Sequence, residues 1–282
     1  MLSQAELQQM SSQVRRDVVR MIHAAKSGHT GGSLGCADFV TVLFFNIMEH
    51  SPEKFSLDGK GQDVFFLSNG HIAPVLYSVL ARTGYFPVSE LGTLRQLGSR
   101  LQGHPSVSHH LPGIRMASGS LGQGMSNAIG MALAKKMDGD QHLVYTLHGD
   151  GELEEGQIWE SAMFAGAKKV DNLISVVDHN GLQIDGATRD VMDLGDLNAK
   201  FAAFGWDVLS MNGNDAAQVE STLKTAREHT GKGKPVMIVM RTEMGFGVDF
   251  MKNLAKWHGT APNDEQAQAA LAQLPQTQYG DY

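Results

Sequence analysis

The fold is decided by residues 142–183, which read HLVYTLHGDGELEEGQIWESAMFAGAKKVDNLISVVDHNGLQ. Residues 142–147 and 172–177 are short apolar runs of the kind that form β-strands. Between them, apolar side chains recur at helical spacing, namely Leu153, Trp159, Met163 and Ala167. The stretch is long enough for one right-handed βαβ crossover that joins two parallel strands.

Polar residues stand at the ends of both predicted strands. Asp150, between Gly149 and Gly151, follows the first strand, and Asn180 comes just past the second. Open parallel sheets bind their ligands at the carboxyl ends of the strands. We therefore predict that Asp150 and Asn180 lie together at a ligand-binding edge of the sheet.

The first loop combines glycines with a high density of negative charge. Glycine permits a tight turn, and free N–H groups at a helix start suit a phosphate. Four carboxylates crowd the same place: Asp150, Glu152, Glu154 and Glu155. They would repel a bare diphosphate, whereas a divalent cation would bridge it to the Asp150 carboxylate, the Asn180 amide oxygen and the Leu182 carbonyl. We interpret the loop as a metal–diphosphate site for Mg²⁺ or Ca²⁺.

Composition narrows the class of protein. The chain has 282 residues, 42% hydrophobic and 19% charged, which is ordinary for a soluble globular protein. The net charge of −7 comes without a basic patch, so we expect neither nucleic acid nor a membrane surface as a partner. Cys36 is the single cysteine, and no apolar run is long enough to span a bilayer. Glu6 and Asp17 interrupt the N-terminal stretch, so we expect no signal peptide. These features predict a cytoplasmic location.

The rest of the chain alternates predicted helices, strands and turns. Ser3 and Glu6 form a capping-box pattern before the first helix. Helices are predicted over residues 7–26, 36–48, 72–82, 89–97, 197–204, 219–228 and 265–274, and one more opens at 119–124 and runs to about Lys136. Strands are predicted at residues 63–67, 206–211 and 235–241. Residues 27–33 and 102–118 are expected to be irregular, and residues 275–282 to be frayed.

Several of these stretches resemble one enzyme family. Gly149-Asp150-Gly151, with Asn180 thirty residues after Asp150, resembles the motif that binds thiamine diphosphate (ThDP) and a metal. Five further stretches resemble transketolase in order and spacing, from near Met1 to about Glu265: residues 27–29 (SGH), 67–71 (LSNGH), 103–105 (GHP), 119–124 (GSLGQG) and 256–259 (KWHG). Two positions depart from the usual pattern, which has a second asparagine where Gly181 stands and a proline where Ser120 stands.

The resemblance implies an architecture and a partner. It implies an α/β fold, a parallel sheet flanked by helices, in which residues 1–260 form the domain that binds the diphosphate and metal. Residues 261–282 would be a polar C-terminal extension, partly disordered. The resemblance covers the first part of a transketolase only, so we expect the N-terminal subunit of a split enzyme. Its companion would carry the pyrimidine-binding domain, in an α2β2 heterotetramer.

The resemblance also implies roles for individual residues. The metal ligands would be Asp150, Asn180 and the Leu182 carbonyl. Contacts to ThDP would come from His71, Gly119, Ser120, Leu121, Asp150, Gly151, Asn180 and His258, with Glu155 near the dimer axis coupling the two cofactors. His29 and His258 would handle the proton of the donor's C3 hydroxyl, and His71 and His104 would face its C1 hydroxyl. The implied reaction transfers a two-carbon ketol unit from a ketose or ketose phosphate to an aldose.

Other functions remain open on the sequence. The α subunit of a 2-oxoacid dehydrogenase is also a split ThDP enzyme, but it would not need four histidines aimed at a polyol. A synthase of the deoxyxylulose phosphate type is ordinarily one long chain. A noncatalytic ThDP-binding module would have no reason to keep groups for proton transfer. The histidines therefore favour transketolase.

Overall fold

The computed structural model describes residues 1–282 and is built around a five-stranded parallel sheet with strand order β1–β2–β3–β7–β6. The strands are β1 Val64–Leu67, β2 Val144–Gly149, β3 Leu173–His179, β4 Leu182–Gln183, β5 Gly186–Ala187, β6 Asp207–Asn212 and β7 Val236–Arg241. The short β4 and β5 form a separate antiparallel pair. The predicted βαβ unit is present, because β2 and β3 are parallel neighbours.

Ten α-helices accompany the sheet. They are α1 Gln4–Ala25, α2 Thr30–Gly35, α3 Ala37–Val42, α4 Ala73–Arg82, α5 Gln123–Met137, α6 Gly156–Ala167, α7 Thr188–Val191, α8 Leu197–Ala203, α9 Ala216–His229 and α10 Asp264–Gln273. The expected capping box starts α1, where the Ser3 side chain accepts from the Glu6 N–H and the Glu6 carboxylate accepts from the Ser3 N–H. No helix combines the length and the apolar composition that crossing a membrane requires.

Strands β1, β2, β3 and β7 bury side chains on both faces of the sheet. In β1, Phe65 and Leu67 belong to the larger core, which α1, α3, α4 and α9 help to form, while Val64 and Phe66 belong to a second core with α5, α6 and α8. Successive side chains of a strand point to opposite faces, so a sheet covered on both sides needs continuous apolar strands. This arrangement confirms the predicted α/β fold with helices flanking a parallel sheet.

The register of the strands brings the polar loops to one edge. Leu67 pairs with Leu147, and Gly149 pairs with Asp178. The segments that follow β1, β2 and β3 therefore leave the sheet side by side, as expected for the carboxyl ends of parallel strands.

The helix after Asp150 differs from the prediction. A 3-10 turn, Gly151–Glu154, comes first, and α6 begins only at Gly156. Because Leu153 lies in this turn and not in α6, helical spacing counted from Leu153 predicts the wrong buried face for α6. Met163 is 56% exposed, whereas the buried face consists of Ile158, Ser161, Ala162 and Ala165.

Two other local predictions were wrong. Residues 89–97 do not form an α-helix, because a 3-10 segment ends at Thr93 and Arg95 has a positive φ of 59°. The glycine-rich stretch 27–33 is only partly a loop, since α2 already begins at Thr30. Every residue of α2 is buried. The small side chains of this helix allow it to pack closely against its neighbours.

The C-terminal residues lie against α1 and α4. The helix predicted at residues 265–274 is present as α10, and beyond it Asp281 forms an ion pair with Arg16 at 2.7 Å. The Arg82 guanidinium donates to the carbonyls of Tyr279 and Gly280. Residues 275–282 thus differ from the frayed end that we expected, because Arg16 and Arg82 supply partners that a polar composition does not reveal.

Candidate active site

Four histidines from distant segments converge at the carboxyl edge of the sheet. His29 precedes α2, His71 lies in the turn after β1, His104 lies in the long irregular segment, and His258 follows a 3-10 turn at Ala255–Trp257. The ring centroids of His29 and His71 are 4.9 Å apart, those of His71 and His258 5.2 Å, and those of His29 and His258 5.6 Å. The ring centroid of His104 lies 6.4 Å from that of His29. These are the four histidines that the sequence marked as catalytic candidates.

The cluster is electrically neutral near pH 7. Burial, with His258 and Arg95 nearby, lowers the pKa of His29 to about 4. Burial and the neighbouring His29 lower the pKa of His71 to about 3. Burial also lowers the pKa of both His104 and His258. A neutral imidazole keeps one donor and one acceptor nitrogen, so each ring can both accept and donate hydrogen bonds.

Two ring nitrogens in the cluster have no partner within the chain. The Nδ1 atoms of His29 and His258 are buried without a hydrogen bond. Buried polar atoms are normally paired, so two unpaired nitrogens at one place indicate a site that receives a polar ligand.

Asp150 lies at the end of β2 with its carboxylate held by backbone groups. Its Oδ1 accepts from the Gly151 N–H at 2.9 Å, and its Oδ2 accepts from the Gly181 N–H at 2.6 Å. Gly181 has φ 76°, a left-handed conformation that glycine and asparagine adopt more readily than other residues. This conformation explains how glycine can stand where the motif usually has its second asparagine.

Asn180 is oriented by a buried aspartate at the end of β3. Its Nδ2 donates to Asp178 Oδ2 at 2.9 Å, and its Oδ1 accepts from the Leu182 N–H, also at 2.9 Å. Asp178 additionally accepts from the hydroxyl of Thr242, just beyond β7. The side-chain oxygen of Asn180 therefore faces the start of β4, where Leu182 lies.

These residues fit a divalent cation. Asp150 is 2% exposed, and burial together with the charge of Asp178 raises the pKa of its carboxyl to about 7. No lysine, arginine or histidine forms an ion pair with it. A buried carboxylate without a cationic partner is costly, and a hard cation would supply the missing charge. No group of three His, Cys, Asp or Glu side chains is arranged for a metal, so neutral oxygens would have to complete the shell.

Glu152 is a site residue that sequence reasoning did not single out. It is 2% exposed, and its carboxylate accepts from the Ser68 hydroxyl, from the Gly122 N–H at 2.8 Å and from the Gly149 N–H at 3.1 Å. Burial would raise the pKa of this carboxyl, but His148 at 3.6 Å and the hydrogen bonds outweigh burial and lower it. Its partners Ser68 and Gly122 lie far away in the chain, so only the local cluster of acidic residues was visible in the sequence.

Of the other residues expected to contact the cofactor, the Gly119–Leu121 segment lies near the histidine cluster and Glu155 does not. The Gly119–Leu121 segment lies beside the histidines, since a Cβ on Gly119 would come within 3.2 Å of the His104 ring. Glu155 is exposed at the start of α6, with its Cβ next to Gly122, and takes no part in the histidine cluster. Within this chain it therefore lies on the outer surface near α5.

A second polar cavity lies elsewhere on the molecule. It has a volume of about 830 Å³ and is lined by residues of α1, of α3 and of the segments after β6 and β7, including Arg15, Asp38, Asn214, Arg241 and Glu243. None of the predicted site residues lines it. The four histidines and Asp150 therefore belong to a different site.

A buried parallel sheet with a Gly-Asp-Gly loop and four histidines at its carboxyl edge defines an α/β domain with a ligand-binding site at that edge. A family model described as transketolase, thiamine diphosphate binding domain, matches residues 7–279. The chain belongs to the transketolase family, as the sequence motifs predicted.

The relatives support this assignment over nearly the whole chain. The chain is 39% identical to an apulose-4-phosphate transketolase subunit of Phocaeicola vulgatus over 95% of this chain and 93% of that protein. It is 40% identical to a 6-deoxy-6-sulfo-D-fructose transketolase subunit of a Clostridium species, over 96% and 97% respectively. The solved transketolase from Leishmania mexicana superposes with a TM-score of 0.90 at 30% identity, covering 100% of this chain but 42% of that one.

Proposed function

We propose that this chain is the diphosphate-binding subunit of a two-component transketolase, which transfers a two-carbon ketol unit from a ketose or ketose phosphate to an aldose. The observation that carries the proposal is the convergence of four neutral histidines beside the Asp150 loop. A histidine cluster suits a substrate with several hydroxyl groups, because imidazoles hydrogen-bond to hydroxyls and can take up the proton that the C3 hydroxyl gives up. Assignment to the transketolase family supports the same reaction.

Asp150, Asn180 and the Leu182 carbonyl would hold Mg²⁺, or Ca²⁺, and with it the diphosphate of ThDP. His71, His258, Gly151 and the Gly119–Leu121 backbone would contact the cofactor. When bound, ThDP supplies the electron sink for breaking and forming the carbon–carbon bond.

The histidines would act on the sugar hydroxyls. His29 and His258 lie 5.6 Å apart between ring centroids, and each keeps an unpaired Nδ1, so they are suited to take and return the proton of the C3 hydroxyl. His71 and His104 would orient the C1 hydroxyl. Because burial lowers the pKa of all four, each would start the cycle as a neutral imidazole, with one ring nitrogen that accepts and one that donates a hydrogen bond.

A companion chain with a pyrimidine-binding domain would complete the site, in an α2β2 complex in the cytoplasm. Two similar proteins of matching length are named as transketolase subunits, which supports a companion. The chain also exposes large apolar side chains on and near the β4–β5 hairpin, a feature typical of surfaces that bind partners. Their exposed fractions are 67% for Ile184, 54% for Met192, 49% for Leu254 and 45% for Val191. Within the chain Ile184 already lies close to the histidines, because its Cδ1 is 3.8 Å from a Cβ built on Gly259.

The histidine cluster also bears on the other candidate functions. A 2-oxoacid dehydrogenase subunit has no polyol substrate that would require four neutral imidazoles. A noncatalytic ThDP-binding module would not keep buried, unpaired ring nitrogens, since these cost stability without a ligand. A transketolase would use both the four neutral imidazoles and the unpaired ring nitrogens.

Co-purification of the tagged chain from its source cell would test the proposal. Mass spectrometry identifies the companion, and ketol transfer from a ketose donor to an aldose is then measured with ThDP and Mg²⁺. We expect neither chain alone to turn over, and activity to saturate when the two are mixed near equal stoichiometry. Robust turnover by the rigorously purified single chain would contradict the two-component assignment.

A further inference from the structure

We propose that Glu152 is a positioning residue that locks the Gly-Asp-Gly loop to the loop before α5, and that its carboxylate occupies the N-cap N–H of α5, which a diphosphate could otherwise use. This inference rests on the proposed function, because it concerns how that site holds its cofactor.

The carboxylate of Glu152 accepts hydrogen bonds from two loops. Oε1 of Glu152 accepts from the Gly122 N–H at 2.8 Å, and Oε2 accepts from the Gly149 N–H at 3.1 Å. Gly122 is the N-cap residue of α5, and Gly149 ends β2 directly before Asp150. A single buried side chain thus fixes the distance between the two loops that the sequence motifs assign to the cofactor.

Ser68 provides a second connection between the same elements. Its hydroxyl donates to Glu152 Oε1 and accepts from the Gly124 N–H at 3.1 Å, inside the first turn of α5. The contact is so close that a Cβ on Gly124 would come within 2.2 Å of the Ser68 Oγ. The ends of β1 and β2 and the start of α5 are therefore joined at Glu152.

The charge of Glu152 has a consequence for the ligand. The N-terminus of a helix carries partial positive charge and attracts anions. At α5 the Gly122 and Gly124 N–H groups already donate to Glu152 and to Ser68. Fewer N–H groups are then left for a diphosphate at this helix end, and a bound cation would supply further positive charge. The Asp150 and Asn180 oxygens are placed to hold a cation for that purpose.

Two effects of replacing Glu152 oppose each other, and the experiment can separate them. Glu152→Gln removes a negative charge near a diphosphate, which by charge alone would tighten binding. It also leaves the Gly122 or the Gly149 N–H facing an amide N–H, which loosens the loops. We expect the loss of alignment to prevail, because one side chain holds both loops.

The first measurement needs no ligand. Hydrogen exchange of the whole chain reports the amides that donate to Glu152, and Glu152→Gln should speed exchange at Gly122 and Gly149 at least tenfold. Exchange within α1 and β3 should not change. Glu228→Gln, at an exposed position of α9, is the matched control with the same change of charge.

The second measurement is a calorimetric titration of the chain, assembled with its companion, with ThDP at saturating Mg²⁺. We expect Glu152→Gln to raise the Kd about tenfold or more, and Glu152→Asp, which keeps the charge but shortens the reach, to raise it as well. Ser68→Ala, which removes one connection only, should show a smaller increase and serves if Glu152→Gln does not fold.

The possible outcomes separate this inference from the proposed function. If the wild-type chain and Glu228→Gln bind ThDP and Glu152→Gln binds equally or more tightly, the positioning role is overturned. Wild-type affinity in Glu152→Asp would show that charge and not reach matters, which also overturns it. If the wild-type chain assembled with its companion does not bind ThDP, the proposed function fails, while the exchange data still decide whether Glu152 joins the loops.

Discussion

Asp178 accepts a hydrogen bond from Nδ2 of Asn180 at 2.9 Å, and this contact turns the amide oxygen of Asn180 toward Leu182. Asp178 is itself buried at 2% exposure and receives the Thr242 hydroxyl on its other side. Partners of this kind, which hold a ligand residue without touching the metal, usually affect metal affinity strongly.

We expect Asp178→Ala to weaken binding of Mg²⁺ about 10- to 100-fold, because Asn180 loses the partner that orients its amide. The measurement is ThDP binding as a function of Mg²⁺ concentration. Thr242→Val is the control, because it removes a partner of Asp178 and leaves the contact to Asn180 in place. Equal Mg²⁺ dependence in wild type and Asp178→Ala would show that Asp178 does not act through Asn180.

Asp150→Ala should abolish Mg²⁺-dependent binding of ThDP while the chain stays folded. The carboxylate is the one charged oxygen ligand among the proposed three, and the diphosphate would otherwise meet the neighbouring acidic residues without compensation. Circular dichroism checks the fold, and titration with and without a chelator checks the metal. Wild-type affinity of Asp150→Ala in the presence of chelator would rule out the metal site.

His29→Ala and His258→Ala should each slow turnover of the assembled enzyme by about 10²–10⁴-fold, the usual contribution of a general acid–base group. His29→Ala should leave ThDP affinity nearly unchanged, whereas His258→Ala combines both effects because His258 is also expected to touch the cofactor. Steady-state kinetics beside a cofactor titration separates the two. His109→Ala, at an exposed position of the irregular loop, is the control, and equal kinetics for it and His29→Ala would remove His29 from the mechanism.

Acid should destabilise the chain below the ordinary pKa of histidine. In the unfolded chain His29 and His71 take up protons near pH 6.5, but in the folded chain only near pH 4 and pH 3. Between these values the unfolded state binds more protons, so stability falls as pH decreases from 6.5 toward 4. We expect each histidine to account for about 1 kcal/mol between pH 7 and pH 5, after allowance for partial exposure.

Denaturant unfolding at pH 7 and pH 5 measures this effect. His29→Asn and His71→Asn should lose less stability on acidification than wild type, and His109→Asn should lose as much. An equal loss in all four proteins would assign the acid sensitivity to other groups.

Asp17→Ala should lower the free energy of unfolding by about 3–5 kcal/mol, because it leaves a buried arginine without its counterion. Asp17 is fully buried and accepts from both the Ser78 hydroxyl and the Arg82 guanidinium. Lys224→Ala breaks an exposed ion pair with Glu220 and should change stability by less than about 1 kcal/mol. Urea unfolding of both variants measures the difference. Similar losses of unfolding free energy would show that burial does not make the Asp17–Arg82 ion pair more important than the Lys224–Glu220 pair.

The sequence predicted elements best where local pattern and global fold agree. The capping box at Ser3, the apolar strands and the Gly-Asp-Gly loop each depend on neighbouring residues, and all are present. The phase of α6 was wrong because the 3-10 turn at Gly151–Glu154 has no clear signature in the sequence. The bounds of a helix after a tight loop depend on packing that spacing alone does not contain.

The residues of the candidate site could be predicted only in part. The four histidines were identified through motifs, and the structure brings all four together. Glu152 could not be identified, because its partners Ser68 and Gly122 come from other segments and no local pattern connects them. Arg16 was hidden for the same reason, since its partner Asp281 is at the other end of the sequence.

The separation of the four histidines along the chain bears on folding kinetics. His29 and His258 meet at the site although most of the sequence lies between them. Contacts of such high sequence separation close late, after loop entropy has been lost elsewhere. A local fragment of the chain therefore cannot contain the histidine cluster. During refolding, the lowered pKa values of His29 and His71 should emerge in the final phase, together with the last tertiary contacts.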